Sequence, residues 1–247
     1  MGKADLHIHT TVSDGMATVA AVLDHVEVRT DLDVIAITDH EDTAGGQRAR
    51  ELAAKRGLRV EVIVGAEITT RHGHLLALFI EETPPSFRSA EATIEAIHAQ
   101  GGLAIVPHPM SWLTRSLSER TIDRIVSRRE AGVTFDGIET ANPSLAGKLT
   151  AAKTRARNRA WALPGIGGSD AHHLPHVATG WTEFDGHDAA ELRRAIIAGT
   201  TTARIGSYPG IREVGVGQVA LGLAWGYAAT PRKVIAKSRQ RAGAVRK

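Results

Sequence analysis

Hydrophobic and polar positions change period repeatedly along the chain, and each change marks an element. Residues 3–9 alternate as a strand does, which puts His7 and His9 on one face. Thr18 suits an N-cap, and helical periodicity follows to about Arg29. Residues 33–38 form a short β-branched apolar run, as expected of a strand buried on both faces. The pattern next predicts a helix over 44–55 stopped by Gly57, strands over 58–65 and 75–80, and a loop at Pro84-Pro85. A helix capped by Ser89 runs to Gln100, and a strand over 103–106 breaks at Pro107-His108-Pro109. Further helices are expected over 118–131, 145–161 and 188–198, with strands over 136–140, 164–168, 179–184 and 201–205.

Strands alternating with helices imply parallel strands joined by crossover helices. At least six such units follow one another without a linker, which predicts one α/β domain and favours a barrel over an open sheet. No fixed-period repeat is visible.

Composition removes several chemistries. The 247 residues include no cysteine, so disulfides and thiolate metal sites are excluded, and any metal is held by nitrogen and oxygen. The N-terminus shows no export signal, so the expected location is the cytoplasm. The net charge of +3 belongs to the tail. Setting aside Arg232, Lys233, Lys237, Arg239, Arg241, Arg246 and Lys247 leaves −4 for the rest, which argues against tight binding of a nucleic-acid polymer.

The polar residues fall where a barrel puts its chemistry, at the C-terminal ends of strands. His7, His9 and Asp14 follow the first strand, Asp39 and His40 the second, Glu67 the third. His74 starts the next strand; His108, Asn142, and Asp170 with His172 follow later ones. His72 could share the face of His74 but falls nearer the turn. His25, His98 and His187 read as surface residues, and His173 and His176 as members of a solvated loop. Singly, each ligand type has an ordinary reading. As a set lining one cleft they require neutralisation, and a metal cluster supplies it. Asp39 is a candidate for orienting an imidazole.

The segments DLHIHTTVSDG, ITDHED, VGAEITTRHGH, VPHPMSW and GGSDAHH resemble the successive motifs of the PHP (polymerase and histidinol phosphatase) domain, in its order, over residues 4–205. The resemblance is nearest to its small stand-alone phosphoesterases. It implies a distorted (βα)7 TIM-like barrel, the PHP fold, whose cleft holds two or three divalent ions. His7, His9, Glu67 and Asp170 would hold the first, Glu67, His74 and His108 the second, and Asp14, His40 and His172 the third. The donor types suit Mn, Fe or Zn without choosing among them.

The implied reaction is hydrolysis of a phosphate ester by a hydroxide bridging the metals, with His172, Asp170 and Asp39 as candidate catalytic groups. Arg115, Lys148 and Arg204 are candidate phosphate-binding cations. The expected substrate is a small phosphomonoester or a nucleotide. Alternatives are a 3′–5′ exonuclease or oligonucleotide phosphoesterase, a histidinol phosphatase, an amide or carboxylic ester hydrolase, and a non-catalytic metal-stabilised binding module. Residues 1–212 are expected to form the PHP unit and 213–247 a C-terminal helix and basic tail. The uncharged stretch 214–231, with Trp225 and Tyr227, carries a secondary expectation of peripheral membrane contact. Oligomeric state is left open.

Overall fold

The computed structural model describes residues 1–128, 133–217, 220, 221 and 224. In chain order the strands are β1 (Gly2–Ile8), β2 (Val34–Ile37), β3 (Glu61–Thr69), β4 (His74–Leu78), β5 (Leu103–Val106), β6 (Gly137–Ala141), β7 (Gly165–Gly167), β8 (Gly180–Phe184) and β9 (Thr202–Ile205). The helices are α1 (Val19–Arg29), α2 (Ala44–Arg56), α3 (Ala90–His98), α4 (Glu119–Val126), α5 (Leu145–Trp161), α6 (Ala189–Ala198) and α7 (Ile211–Val214). Thr18 and Ser89 cap α1 and α3 through their side chains, and Gly57 ends α2 in the left-handed conformation.

All nine strands join one sheet, ordered β7-β6-β5-β4-β3-β2-β1-β8-β9. Backbone bonds from His9 N to Ala171 O (2.9 Å) and from Ala171 N to His7 O (3.2 Å) bring the chain after β7 back to β1 and nearly close the barrel. The expectation of uniformly parallel strands holds for β1–β2–β3 and β5–β6–β7 but not for the rest. β4 runs antiparallel to both neighbours, and β8 is antiparallel to β1 and β9. No helix separates β3 from β4, so a four-residue turn makes them a hairpin. That reversal has a consequence for the site: the start of β4 lies at the same rim as the end of β3, with Thr69 paired to His74. β3 itself runs past Gly65, which sits mid-strand opposite Leu78.

The barrel interior is apolar. Ala4 and Leu6 of β1 pack with Val34, Ile63, Leu76, Ile105, Ile166 and Phe184, and Leu192 and Ile196 of α6 join the same cluster. Two outer layers flank it. α1 and α2 cover Ile8, Ile35 and Ile37, while α3, α4 and α5 cover Ile68, Leu75, Val106 and Ile138. Leu6 and Ile8 therefore face different layers, which strict alternation forbids. The pairing of β1 with β2 is irregular between Asp5 and Ile8, and such a bulge re-aims the side chains beyond it.

α4 stops at Val126, and Ala131 of the expected longer helix lies outside the described residues. So does most of the 214–231 stretch, including Trp225 and Tyr227. Among the described residues no helix is long and apolar enough to cross a membrane.

Candidate metal centre

Strand ends carry the polar residues to one rim of the barrel. Glu67, near the end of β3, is 1% exposed and lies at the middle of the group. Its Oε1 is 2.7 Å from His74 Nδ1 and 3.0 Å from His108 Nε2. Its Oε2 is 3.4 Å from His7 Nε2, His9 Nε2 and His40 Nδ1. Asp170 Oδ1 lies 3.6 Å from both His7 Nε2 and His9 Nε2. Asp14 Oδ2 lies 3.6 Å from His40 Nε2 and 3.4 Å from His172 Nε2.

Many of these separations are too long for hydrogen bonds. They match another geometry: donors about 2.1 Å from a shared tetrahedral centre are about 3.4 Å from one another. Four overlapping groups offer donor atoms that all lie within 4.8 Å of one another, namely His7, His9 and Glu67; His7, His108 and Asp170; His40, Glu67 and His74; and His9, Asp14, His40 and His172. All nine residues expected from the sequence as ligands appear among them. The groups overlap more than the sequence-based division into three sets, since His108 also neighbours His7 and Asp170, and His9 also neighbours Asp14.

The test of fit is what the site lacks. His9 Nδ1, Asp14 Oδ1, His40 Nδ1 and His74 Nε2 are buried and make no hydrogen bond. Orphaned polar atoms of this kind are costly in a protein interior, and four in one place call for a cation. The donors are imidazole and carboxylate throughout, which suits borderline divalent metals.

Charge is finely balanced here. Burial alone would raise Glu67, yet His74 and His40 hold its carboxyl well below the usual range. Asp170 is likewise held low against burial, chiefly by His7. Burial pushes the His40 imidazole down to about 4, outweighing Glu67 and Asp14. His172 is drawn the other way: despite burial, Asp14 and Asp170 raise it to about 10.

A supporting layer orients the donors. Glu139 of β6 is 2% exposed, with Oε1 2.8 Å from His7 Nδ1, and its Oε2 accepts from His108 N at 2.6 Å and from Asn142 Nδ2 at 2.8 Å. Ser116 Oγ lies 2.8 Å from His108 Nδ1, and Ser144 donates to Asp170 Oδ2 at 3.1 Å. Asp5 accepts from Ser169 N and Ala178 N, both at 2.9 Å, and so ties β1 to the loop after β7. Burial lifts its carboxyl to about 6 against those hydrogen bonds. A side chain at position 168 would put its Cβ 2.7 Å from His7 Cβ and 2.9 Å from Glu139 Oε1, so the pair meets only because Gly168 leaves room. His108 (φ 28°) and Asp170 (φ 54°) hold unusual backbone conformations, strain of the sort that collects at functional sites.

Several expectations change in the folded molecule. Asp39 does not orient an imidazole. It accepts from Thr10 N (2.8 Å), Thr10 Oγ1 (2.7 Å), Ser13 N (3.1 Å) and Ser13 Oγ (2.5 Å), and so pins the loop that carries Asp14. His72 turns away: its Nδ1 accepts from Ala90 N at 3.1 Å at the start of α3, leaving His74 to face Glu67. Asn142 serves Glu139 instead of the cluster. Arg204 is engaged by Glu183 at 2.9 Å on the β8–β9 ribbon. Arg115 and Lys148 are exposed near the rim. The backbone oxygen of Arg115 accepts from His74 N, and Lys148 lies one turn beyond Ser144 with Nζ 4.7 Å from the Tyr208 ring centre. His176, expected in solvent, is 9% exposed and stacks on Tyr208 at 4.2 Å, with Nε2 3.3 Å from Pro209 O.

Residues 5–163 match the PHP domain. The chain belongs to the PHP domain family. A further match, described as PHP-associated, covers residues 152–201. An uncharacterised protein of Methanocaldococcus jannaschii is 38% identical over 151 residues, which is 57% of this chain and 81% of that one. A phosphoribosyl 1,2-cyclic phosphate 1,2-diphosphodiesterase of Eggerthella lenta is 37% identical over 102 residues, covering 38% of each protein. The match thus spans well under half of that enzyme. The fold is shared with a two-domain protein from Bacteroides vulgatus containing a predicted PHP-like metal-dependent phosphoesterase, at a TM-score of 0.67 and 21% identity over 90% of this PHP chain and 69% of that one.

Proposed function

We propose that this PHP domain protein is a metal-dependent phosphoesterase acting on a small phosphomonoester or a nucleotide. The observation that carries the reading is Glu67, one buried carboxylate with both oxygens among five imidazoles. His7, His9, Asp170 and Glu67 would hold one ion, Glu67, His74 and His108 a second, and Asp14, His40 and His172 a third. Bound there, such ions lower the pKa of water toward about 7 and neutralise the oxygens of a transferring phosphoryl group.

The chain's own groups do the remaining work. Glu139 fixes the tautomer and tilt of His7, and Ser116 does the same for His108. With ions in the first two positions only, His172 at the cleft mouth beside Asp14 is left unligated and is placed to pass a proton to a departing oxygen. Lys148 and Arg115 offer positive charge from the segments that follow β6 and β5. Residues 1–212 form the catalytic unit in this reading.

The test is phosphate release. Purified full-length protein supplied with Mn²⁺ is expected to release phosphate from a generic aryl phosphate or a nucleotide. Protein that stays inert with Mn, Fe, Zn and Mg while binding none of them contradicts the proposal.

A further inference from the structure

Three loops meet beside His74 and His108, and their bonding makes one rigid rim. The turn 70–73 is tied to the segment 84–88 by Arg71 N to Arg88 O (2.9 Å) and Arg71 Nε to Phe87 O (2.9 Å). Phe87 N donates to Thr69 O at 2.7 Å, and buried Glu41 accepts from both Thr69 N and Ser86 Oγ. The loop 107–117 joins through His74 N to Arg115 O (2.6 Å). At Gly73, with φ 140°, a Cβ would lie 2.5 Å from Leu117 N, so this close seating of the loops needs glycine.

Besides the Arg115 charge, this rim displays apolar and further basic side chains. Trp112 is 77% exposed, and Phe87 and Leu113 are each 41% exposed. The Arg115 guanidinium lies 5.9 Å from the centre of the Phe87 ring. Arg71 and Arg88 are exposed beside it. Among the described residues none of these three arginines forms an ion pair with a carboxylate, and residues 68–80, 83–90 and 107–118 contain no acid. Trp112 is four residues from His108, so their Cα atoms are at most about 14 Å apart.

We infer that Phe87, Trp112 and Arg115 form a nucleobase platform, so that the phosphate ester presented to the cluster belongs to a nucleotide. Flat aromatic faces take any base by stacking, and unpaired guanidiniums beside them take phosphate or stack in turn. The charge favours this occupant over an apolar protein or a neutral lipid surface, because three arginines without a carboxylate partner among the described residues lie around Phe87. The inference rests on the phosphoesterase reading for its reaction but not for its binding. Two sources share the chemistry, a free mononucleotide and the end of a single strand.

Binding is measured on the full-length protein in EDTA by tryptophan fluorescence, with adenosine 5′-monophosphate as probe and ribose 5-phosphate as reference. Adenosine 5′-monophosphate is expected to quench the emission, and Trp112→Ala to abolish the response. With Mn²⁺, Trp112→Ala is expected to lower the ratio of kcat/KM for the nucleotide over the sugar phosphate about tenfold, through KM. A 5′-phosphorylated pentanucleotide that binds more tightly than the mononucleotide assigns the platform to strand ends; weaker binding assigns it to free nucleotides. No quenching together with an unchanged ratio overturns the inference, as does capture by neutral lipid vesicles without nucleotide binding. If nothing is hydrolysed, the metal-free titration still decides the platform, and only the phosphoesterase reading falls.

Discussion

The two ends of the barrel solve opposite problems with the same strands. Below the bulge in β1, Ala4 and Leu6 enter an interior of aliphatic side chains that needs only shape and volume. Above it, His7 and His9 enter a group with three nearly buried carboxylates and four orphaned polar atoms. The lower layer contributes stability by removing apolar area from water. The upper one spends part of that stability to hold donors apart, at separations that hydrogen bonds alone do not favour. Substitutions should therefore separate cleanly, with activity and metal content lost at one end and folding free energy at the other.

Glu67→Gln gives the largest expected effect. Removing the charge at the centre of the imidazoles should cut phosphate release by at least about 1000-fold and reduce bound metal, with the urea midpoint of metal-free protein little changed. A variant that keeps its metals and its turnover breaks the division between the two ends. Leu6→Ala is the reverse case. Leu6 is fully buried, and truncation should cost about 3 kcal/mol in urea unfolding while metal content per folded chain is retained. Glu139→Gln sharpens the boundary, since Glu139 touches His7 without belonging to any of the four donor groups. Metal affinity should fall about 10- to 100-fold, the usual loss for such a partner, and competition with a chelator measures it.

The smallest effect lies outside both ends. His98 Nε2 is 2.7 Å from Asp136 Oδ2, and this hydrogen bond raises the imidazole above its ordinary value against partial burial. The folded value exceeds the unfolded one of about 6.5, so the pair contributes fully below that pH, and its contribution fades as pH rises through the folded value. His98→Gln should thus destabilise more at pH 5.5 than at pH 8.5, by less than about 1 kcal/mol because the pair is partly exposed. An equal loss at both pH values removes the charge from the explanation.

The ligand rim was legible because strand ends put chemistry at fixed places in the chain, and because its residue types are costly anywhere else. Glu139 was not singled out, although an acid inside the buried run Gly137–Ala141 was the available signal. Asp39 misled through its position next to His40. Neighbours on an extended chain point to opposite sides, so the residue beside a cluster member is poorly placed to touch the cluster. The burial of His176 depends on residues 208–209 folding back more than thirty positions later, which no local pattern reports. The antiparallel sense of β4 was implied by the missing helix between residues 69 and 74, and it is what brings His74 to the rim.

The central claim is that side chains from position 7 to position 172 hold several ions in one cleft. Elemental analysis of the full-length protein, loaded with Mn²⁺ or Zn²⁺ and then dialysed, tests it most directly. The account predicts two to three ions per chain, falling on substitution of Glu67 by Gln. Less than one ion per chain in folded protein, unaffected by that substitution, would contradict it.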